Sequence, residues 1–205
     1  MVQLKKSLYS LRQAGCNWYN ILESNLKKEL GMESSKYEAG IYRTGSGATL
    51  IVWVDHMLLI GSQVEVTCMK SSISKRFKIK DLRNIEFVLS MLLERDWHMR
   101  RSYLSQGGYI KNVLTRFKMQ NSKGCPTPMD PKRKLRNRLA EEEATEKHQY
   151  QEAVGCRTYA AITAQPNIAY PSALVGRFSA HPATAHWAAV KRILRYLRET
   201  QELRL

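Results

Sequence analysis

Apolar positions recur along this chain with two different periods. After Leu11 they fall at Trp18, Ile21, Leu22 and Leu26, the three-and-four spacing of one helix face. Gly31 follows Leu30 as a natural stop, and Lys27 and Lys28 suit the dipole of a last turn. From Thr49 to Val54 the residues are mostly β-branched or aromatic, and Met57 to Ile60 is a second apolar run ended by Gly61. Gly45-Ser46-Gly47 supplies a flexible turn ahead of the first run. Asp55 and His56 separate the two runs, which predicts a hairpin with these polar residues at its tip.

Downstream, Val66, Met69, Ile73 and Phe77 mark one side of a helix over 64–78. Phe87 to Leu93 and Tyr103 to Ser105 read as short strands. Gly107-Gly108 breaks the chain before an amphipathic helix from Tyr109 to Phe117. Residues 121–148 then hold Pro126, Pro128 and Pro131, a basic cluster from Lys132 to Arg138, and an acidic run from Glu141 to Glu146. Such composition predicts a mobile linker. Helix resumes from Gln149 to about Thr163, and Pro166 interrupts it. The final helix is expected from Pro182 to about Glu199, with Trp187, Val190, Ile193, Leu194 and Leu197 as its apolar stripe. Lys191, Arg195 and Arg198 form a separate basic stripe, whose usual meaning is a solvated face. The pattern implies an α+β fold in three segments: 1–120, a linker at 121–148, and a helical part at 149–205.

Composition narrows the function classes. Of 205 residues, 43% are hydrophobic and 25% charged, which argues against wholesale disorder. Lys and Arg number 33 against 18 Asp and Glu, a formal net charge of +15. That excess fits a polyanionic partner, either nucleic acid or an anionic membrane surface, or else a solvated basic surface. The longest near-apolar run, Thr49 to Ile60, contains Asp55 and His56 and is too short to span a bilayer. No secretory signal follows the start, where Lys5 and Lys6 interrupt the apolar residues. Cys16, Cys68, Cys125 and Cys156 are too scattered for a metal knuckle or redox pair and read as thiols of a reducing, intracellular setting. His181 and His186, five apart, do not share a helix face as a metal pair would. Asp55 alone invites chemistry. A carboxylate on a rigid turn can ligate a hard divalent cation, although an ordinary turn aspartate is the more common case.

A series of motifs goes further. Ser7-Leu8-Tyr9-Ser10-Leu11-Arg12-Gln13-Ala14 and Trp18-Tyr19 resemble the S-L-Y-G-L-K-Q-A and W-Y blocks of copia-type retrotransposon reverse transcriptases. Leu50 to Gly61 resembles the block carrying the Y-x-D-D turn, and Phe77 to Leu82 resembles F-x-M-K-D-L. Leu104-Ser105-Gln106 with Tyr109-Ile110, Thr127-Pro128-Met129, and Tyr150 with Val154-Gly155 match later blocks. Ile168-Ala169-Tyr170 follows the place of T-R-P-D, and His186-Trp187 with Lys191 to Leu197 resembles H-W-x-A-x-K-R-I-L-R-Y-L.

The resemblance implies a right-hand polymerase fold, here partial, without most of the fingers and the first palm strand. In that family two aspartates of the Y-x-D-D turn and a third on an upstream strand bind two magnesium ions for in-line phosphoryl transfer. This chain departs at that turn. Trp53-Val54-Asp55-His56 stands where Y-V-D-D is expected, and Asp55 is the first aspartate in the sequence. Imidazole is a poor magnesium ligand. The resemblance therefore implies a partial magnesium site at Asp55, no productive magnesium binding, and an inactive remnant of an RNA-directed DNA polymerase. The alternatives are a non-catalytic nucleic-acid-binding protein derived from it, or a decayed reading frame. By analogy, Lys5, Lys6, Arg12 and Gln13 lie near nucleotide and template. Phe87 to Leu92 matches the primer-holding hairpin, and Lys191, Arg195 and Arg198 track the duplex backbone. The partners expected are an RNA or DNA template-primer and other segments of the Pol polyprotein, not a membrane. Arg83 stands where the family has a glycine, which implies a turn needing positive φ. The unpaired hairpin edge implies an aggregation hazard.

Overall fold

In the computed structural model residues 11–205 are described, and they divide into two compact units, one ending at Leu82 and the other Arg83–Leu205. This boundary falls ahead of the Phe87–Ser105 strands and groups them with the helices that follow. The first unit opens with α1 (Ala14–Leu30). Gly31 ends it at φ 58°, and the N–H groups of Gly31 and Met32 both return to the Leu26 carbonyl. Four antiparallel strands follow in sheet order: β1 (Glu33–Ser34), β2 (Ile41–Arg43), β3 (Thr49–Trp53) and β4 (His56–Ile60). Helix α2 (Gln63–Arg76) closes the unit.

Two of these joints are set by side chains the hydrophobic pattern does not reveal. Ser62 caps α2 reciprocally with Glu65, whose Oε2 accepts the Ser62 N–H at 2.8 Å. Glu65 Oε1 also accepts the Ser46 hydroxyl at 2.6 Å, tying the β2–β3 turn to the helix start. The Ser46 and Ser62 hydrogen bonds hold the Glu65 carboxyl down at about 2. Leu22, Leu26, Met32, Tyr42, Leu50 and Ile73 form the buried core between sheet and helices.

The second unit begins with Arg83 at φ 63°, the left-handed backbone that its glycine-like position implied. A small antiparallel sheet runs β5 (Phe87–Val88), β6 (Met91–Asp96), β7 (Arg101–Ser105). The chain end adds to its β7 edge, where Leu104 and Leu205 exchange backbone hydrogen bonds of 3.1 and 2.9 Å. Helices α3 (Gly107–Arg116), α4 (Lys147–Thr163), α5 (Ala169–Gly176) and α6 (Thr184–Glu199) follow. Ile110, Leu114, Tyr150, Ile168, Val190 and Leu194 lie at the centre of their core. The final helix starts two residues later than its proline suggests. Ala183 is held extended by a bridge to Ala144, so the helical turn cannot open before Thr184.

The segment 121–146 has little regular structure, yet it is laced to α6. Arg195 Nε donates to the Lys123 carbonyl at 2.6 Å, Arg198 Nε to Gln120 at 2.9 Å, and Arg192 to the Thr127 hydroxyl at 2.8 Å. Buried His186 joins in at the helix start: Nδ1 accepts the Ala183 N–H, and Nε2–H donates to the Arg136 carbonyl at 2.8 Å. Composition alone suggested a mobile linker because it carries few apolar anchors. The anchors are its own carbonyls, which guanidinium donors satisfy.

Candidate functional site

The β3–β4 hairpin carries the candidate chemistry. Its register runs Thr49↔Ile60, Leu50↔Leu59, Ile51↔Leu58, Val52↔Met57 and Trp53↔His56. The tip is therefore Val54-Asp55, and His56 is the first residue of β4 opposite Trp53. This moves the tip one residue from the expected Asp55-His56, because pairing Trp53 with His56 is what puts Leu50, Val52, Met57 and Leu59 on the core face. Both favoured two-residue loops need positive φ at their first position. Val54 supplies it at φ 57°, a strained setting for a β-branched side chain. Trp18 secures the tip: its Nε1–H donates to the Val54 carbonyl at 3.0 Å, and its ring meets Phe77 edge-on at 5.1 Å.

The scaffold thus presents Asp55 and His56 to solvent, with side chains 74% and 68% exposed and His56 Nε2 3.8 Å from Asp55 Oδ1. The donor set does not fit the two magnesium ions of a polymerase centre. Two dications need several hard oxygen ligands in near-octahedral order, and the tip offers one carboxylate beside an imidazole. Among the described residues no group of three His, Cys, Asp or Glu side chains could hold a metal ion.

Antiparallel alternation turns the N–H and C=O groups of Met57 and Leu59 outward from β4, and β4 is an end strand of its sheet among the described residues. The opposite face of the hairpin stays partly bare, with Trp53 62% and Ile60 48% exposed.

The other sequence-predicted residues divide into groups. Lys5 and Lys6 lie outside the described residues. Arg12 and Gln13 are exposed at the start of α1, the helix whose Trp18 grips the tip. Lys191 is exposed on α6, with its ammonium 5.8 Å from the Trp187 ring centroid. Arg195 and Arg198 are half-buried and engaged by the carbonyls of residues 120–124. The Phe87–Leu92 hairpin turns through Leu89 and Ser90, both at positive φ, and the Tyr159 hydroxyl on α4 donates to the Leu89 carbonyl. Arg157 is the surprise. It is fully buried on α4, Nε donates to the Ala153 carbonyl at 3.0 Å, and Nη1 and Nη2 have no partner among the described residues. Burial pushes its pKa down to about 10.

Residues 1–131 match the family described as reverse transcriptase (RNA-dependent DNA polymerase). The chain is 35% identical over 97% of its length to the retrovirus-related Pol polyprotein from transposon TNT 1-94 of Nicotiana tabacum, covering 16% of that protein. It is 31% identical over 97% of its length to the Pol polyprotein from transposon RE1 of Arabidopsis thaliana, covering 13%. Against the putative transposon Ty5-1 protein YCL074W of Saccharomyces cerevisiae it is 28% identical over 98% of its length, covering 66% of that protein. The chain thus spans about a sixth or less of the plant relatives. No solved structure matches it.

Proposed function

Since the chain belongs to the reverse transcriptase (RNA-dependent DNA polymerase) family, we propose that it keeps the palm hairpin as a scaffold but cannot transfer nucleotides by itself. The observation that carries this reading is the tip, where His56 stands beside Asp55 and no third His, Cys, Asp or Glu side chain joins them among the described residues. A polymerase centre acts as a unit, and loss of one member removes most of the rate. What remains is a basic α+β protein that holds an RNA or DNA template-primer without extending it, alone or beside other Pol segments. Such binding is governed by phosphate contacts and falls steeply with salt. Arg12, Gln13 and Lys191 are its most available contacts. Arg195 and Arg198 reach phosphate with whatever donors their carbonyl partners leave free.

Primer extension on an RNA template, with magnesium or manganese and excess protein, tests the reading. No incorporation is expected, and His56→Asp alone does not restore it. Incorporation by the wild-type chain that Asp55→Asn abolishes would overturn the proposal.

A further inference from the structure

The β6–β7 hairpin ends in a four-residue tip, 97–100, closed by the Asp96↔Arg101 pair. Trp97 in this tip is 73% exposed, and the Arg95 guanidinium carbon stands 5.5 Å from its ring centroid. A cation over an indole steadies the ring in one orientation, while the exposure leaves most of the ring surface to solvent. The tip itself is ordered by a hydrogen bond. Asp96 Oδ1 accepts the Met99 N–H at 2.9 Å, and Arg100 turns the chain at φ 52°.

The charges around the ring are lopsided. Both nearby carboxylates are engaged, Asp96 by that N–H and Glu94 by Arg204 at 2.6 Å. Arg95, Arg100 and Arg101 are exposed and have no ion-pair partner among the described residues. On α6, by contrast, Arg195 and Arg198 are already tied to carbonyls. A rigid tip with an open aromatic ring and unpaired guanidinium groups on either side has the chemistry of a base-stacking platform flanked by phosphate ligands.

We propose that this hairpin tip binds single-stranded nucleic acid, one base stacking on Trp97 and the adjoining phosphates meeting Arg100 and Arg101. The inference rests on the reading that the chain binds nucleic acid, and adds to it a site outside the palm hairpin. Stacking accepts any base, so the site reads strandedness rather than sequence. A duplex, whose bases are already stacked, gains little from it.

Fluorescence anisotropy of a labelled 12-nucleotide RNA with the 205-residue chain at low salt tests this. Trp97→Ala is expected to weaken binding about tenfold or more, with the salt slope unchanged because no charge is lost. Trp97→Phe keeps most of the affinity. Arg100→Gln with Arg101→Gln instead flattens the salt slope by about one unit or more. The tip is exposed, and circular dichroism confirms that each variant folds. Wild-type affinity in Trp97→Ala overturns the site while leaving nucleic-acid binding intact. Absence of RNA binding by the wild-type chain overturns both. Competition by polyglutamate as strong as by unlabelled RNA also overturns the site, since an acidic peptide has charge without bases.

Discussion

Replacing Arg157 with leucine should make the Arg83–Leu205 unit more stable. The side chain is fully buried on α4 and, among the described residues, makes one hydrogen bond, through Nε to Ala153, while Nη1 and Nη2 face no acceptor. Burial is the largest influence on its ionisation, and nearby Tyr150 and Cys156 oppose it without offsetting it. Bringing the group from its ordinary value down to about 10 corresponds to roughly 3 kcal/mol disfavouring the charged form in the folded state. Leucine removes that penalty and leaves a small void, which returns about 1 kcal/mol. The net gain is about 2 kcal/mol, which moves the melting temperature of a unit this size upward by roughly 5–10 °C. Urea unfolding followed by the fluorescence of Trp187, which packs beside Phe117 and Tyr150, reads the change as a higher midpoint at unchanged slope. The sign of the pH dependence is fixed as well. The folded-state value is the lower one, so the penalty is complete below pH about 10 and fades as pH rises above it, where the unfolded chain binds more protons than the folded one. The gap between wild type and Arg157→Leu should therefore narrow in alkali. A leucine variant of equal or lower stability would show that the guanidinium is satisfied inside the core, and would refute the reasoning.

Three further outcomes follow from the same structure. The stability Glu65 contributes through Ser46 and Ser62 is complete above about pH 4.5 and is lost as pH falls toward about 2; Glu65→Gln should remove that slope in thermal melts across the window, and an unchanged slope would discard the clamp. Val54→Gly and Arg83→Gly each relieve a left-handed residue and should stabilise by about 1 kcal/mol in urea titrations, a loss at either site counting against the strain. Arg195→Ala with Arg198→Ala should release the segment 121–146, so that limited trypsin digestion nicks it several-fold faster; cleavage at the wild-type rate would show that other contacts hold it.

The elements were legible where hydrophobic period and turn chemistry agree. Leu22 and Leu26 announce the buried face of α1, Gly31 its stop, and the two apolar runs around Asp55 the hairpin. The tip lay one residue away because a valine occupies a position that sequence preference assigns to glycine, so polarity pointed past it to Asp55-His56. Arg195 and Arg198 carry another lesson. A basic stripe shows charge without showing its partner, and carbonyl oxygens of an irregular segment leave no trace in composition. Trp97 was equally silent, since an isolated tryptophan between Asp96 and His98 reads the same whether its ring is buried or bare. For Arg157 it is the structure that shows why it is out of place: none of the described residues at that depth accepts its outer nitrogens.

On the proposed reading, the hairpin keeps its fold without a metal site. Strand pairing from Thr49↔Ile60 to Trp53↔His56 is made by main-chain groups, which are indifferent to the side chain at position 56. The core face is filled by Leu50, Val52, Met57 and Leu59, and the Trp18 hydrogen bond reaches the Val54 carbonyl rather than a side chain. Histidine at the exposed tip therefore costs the fold almost nothing. For catalysis it removes a hard oxygen donor and a negative charge from the place where two dications would have to sit. Fold and activity are held by different atoms of the same hairpin, so a change at position 56 can abolish one without a mark on the other.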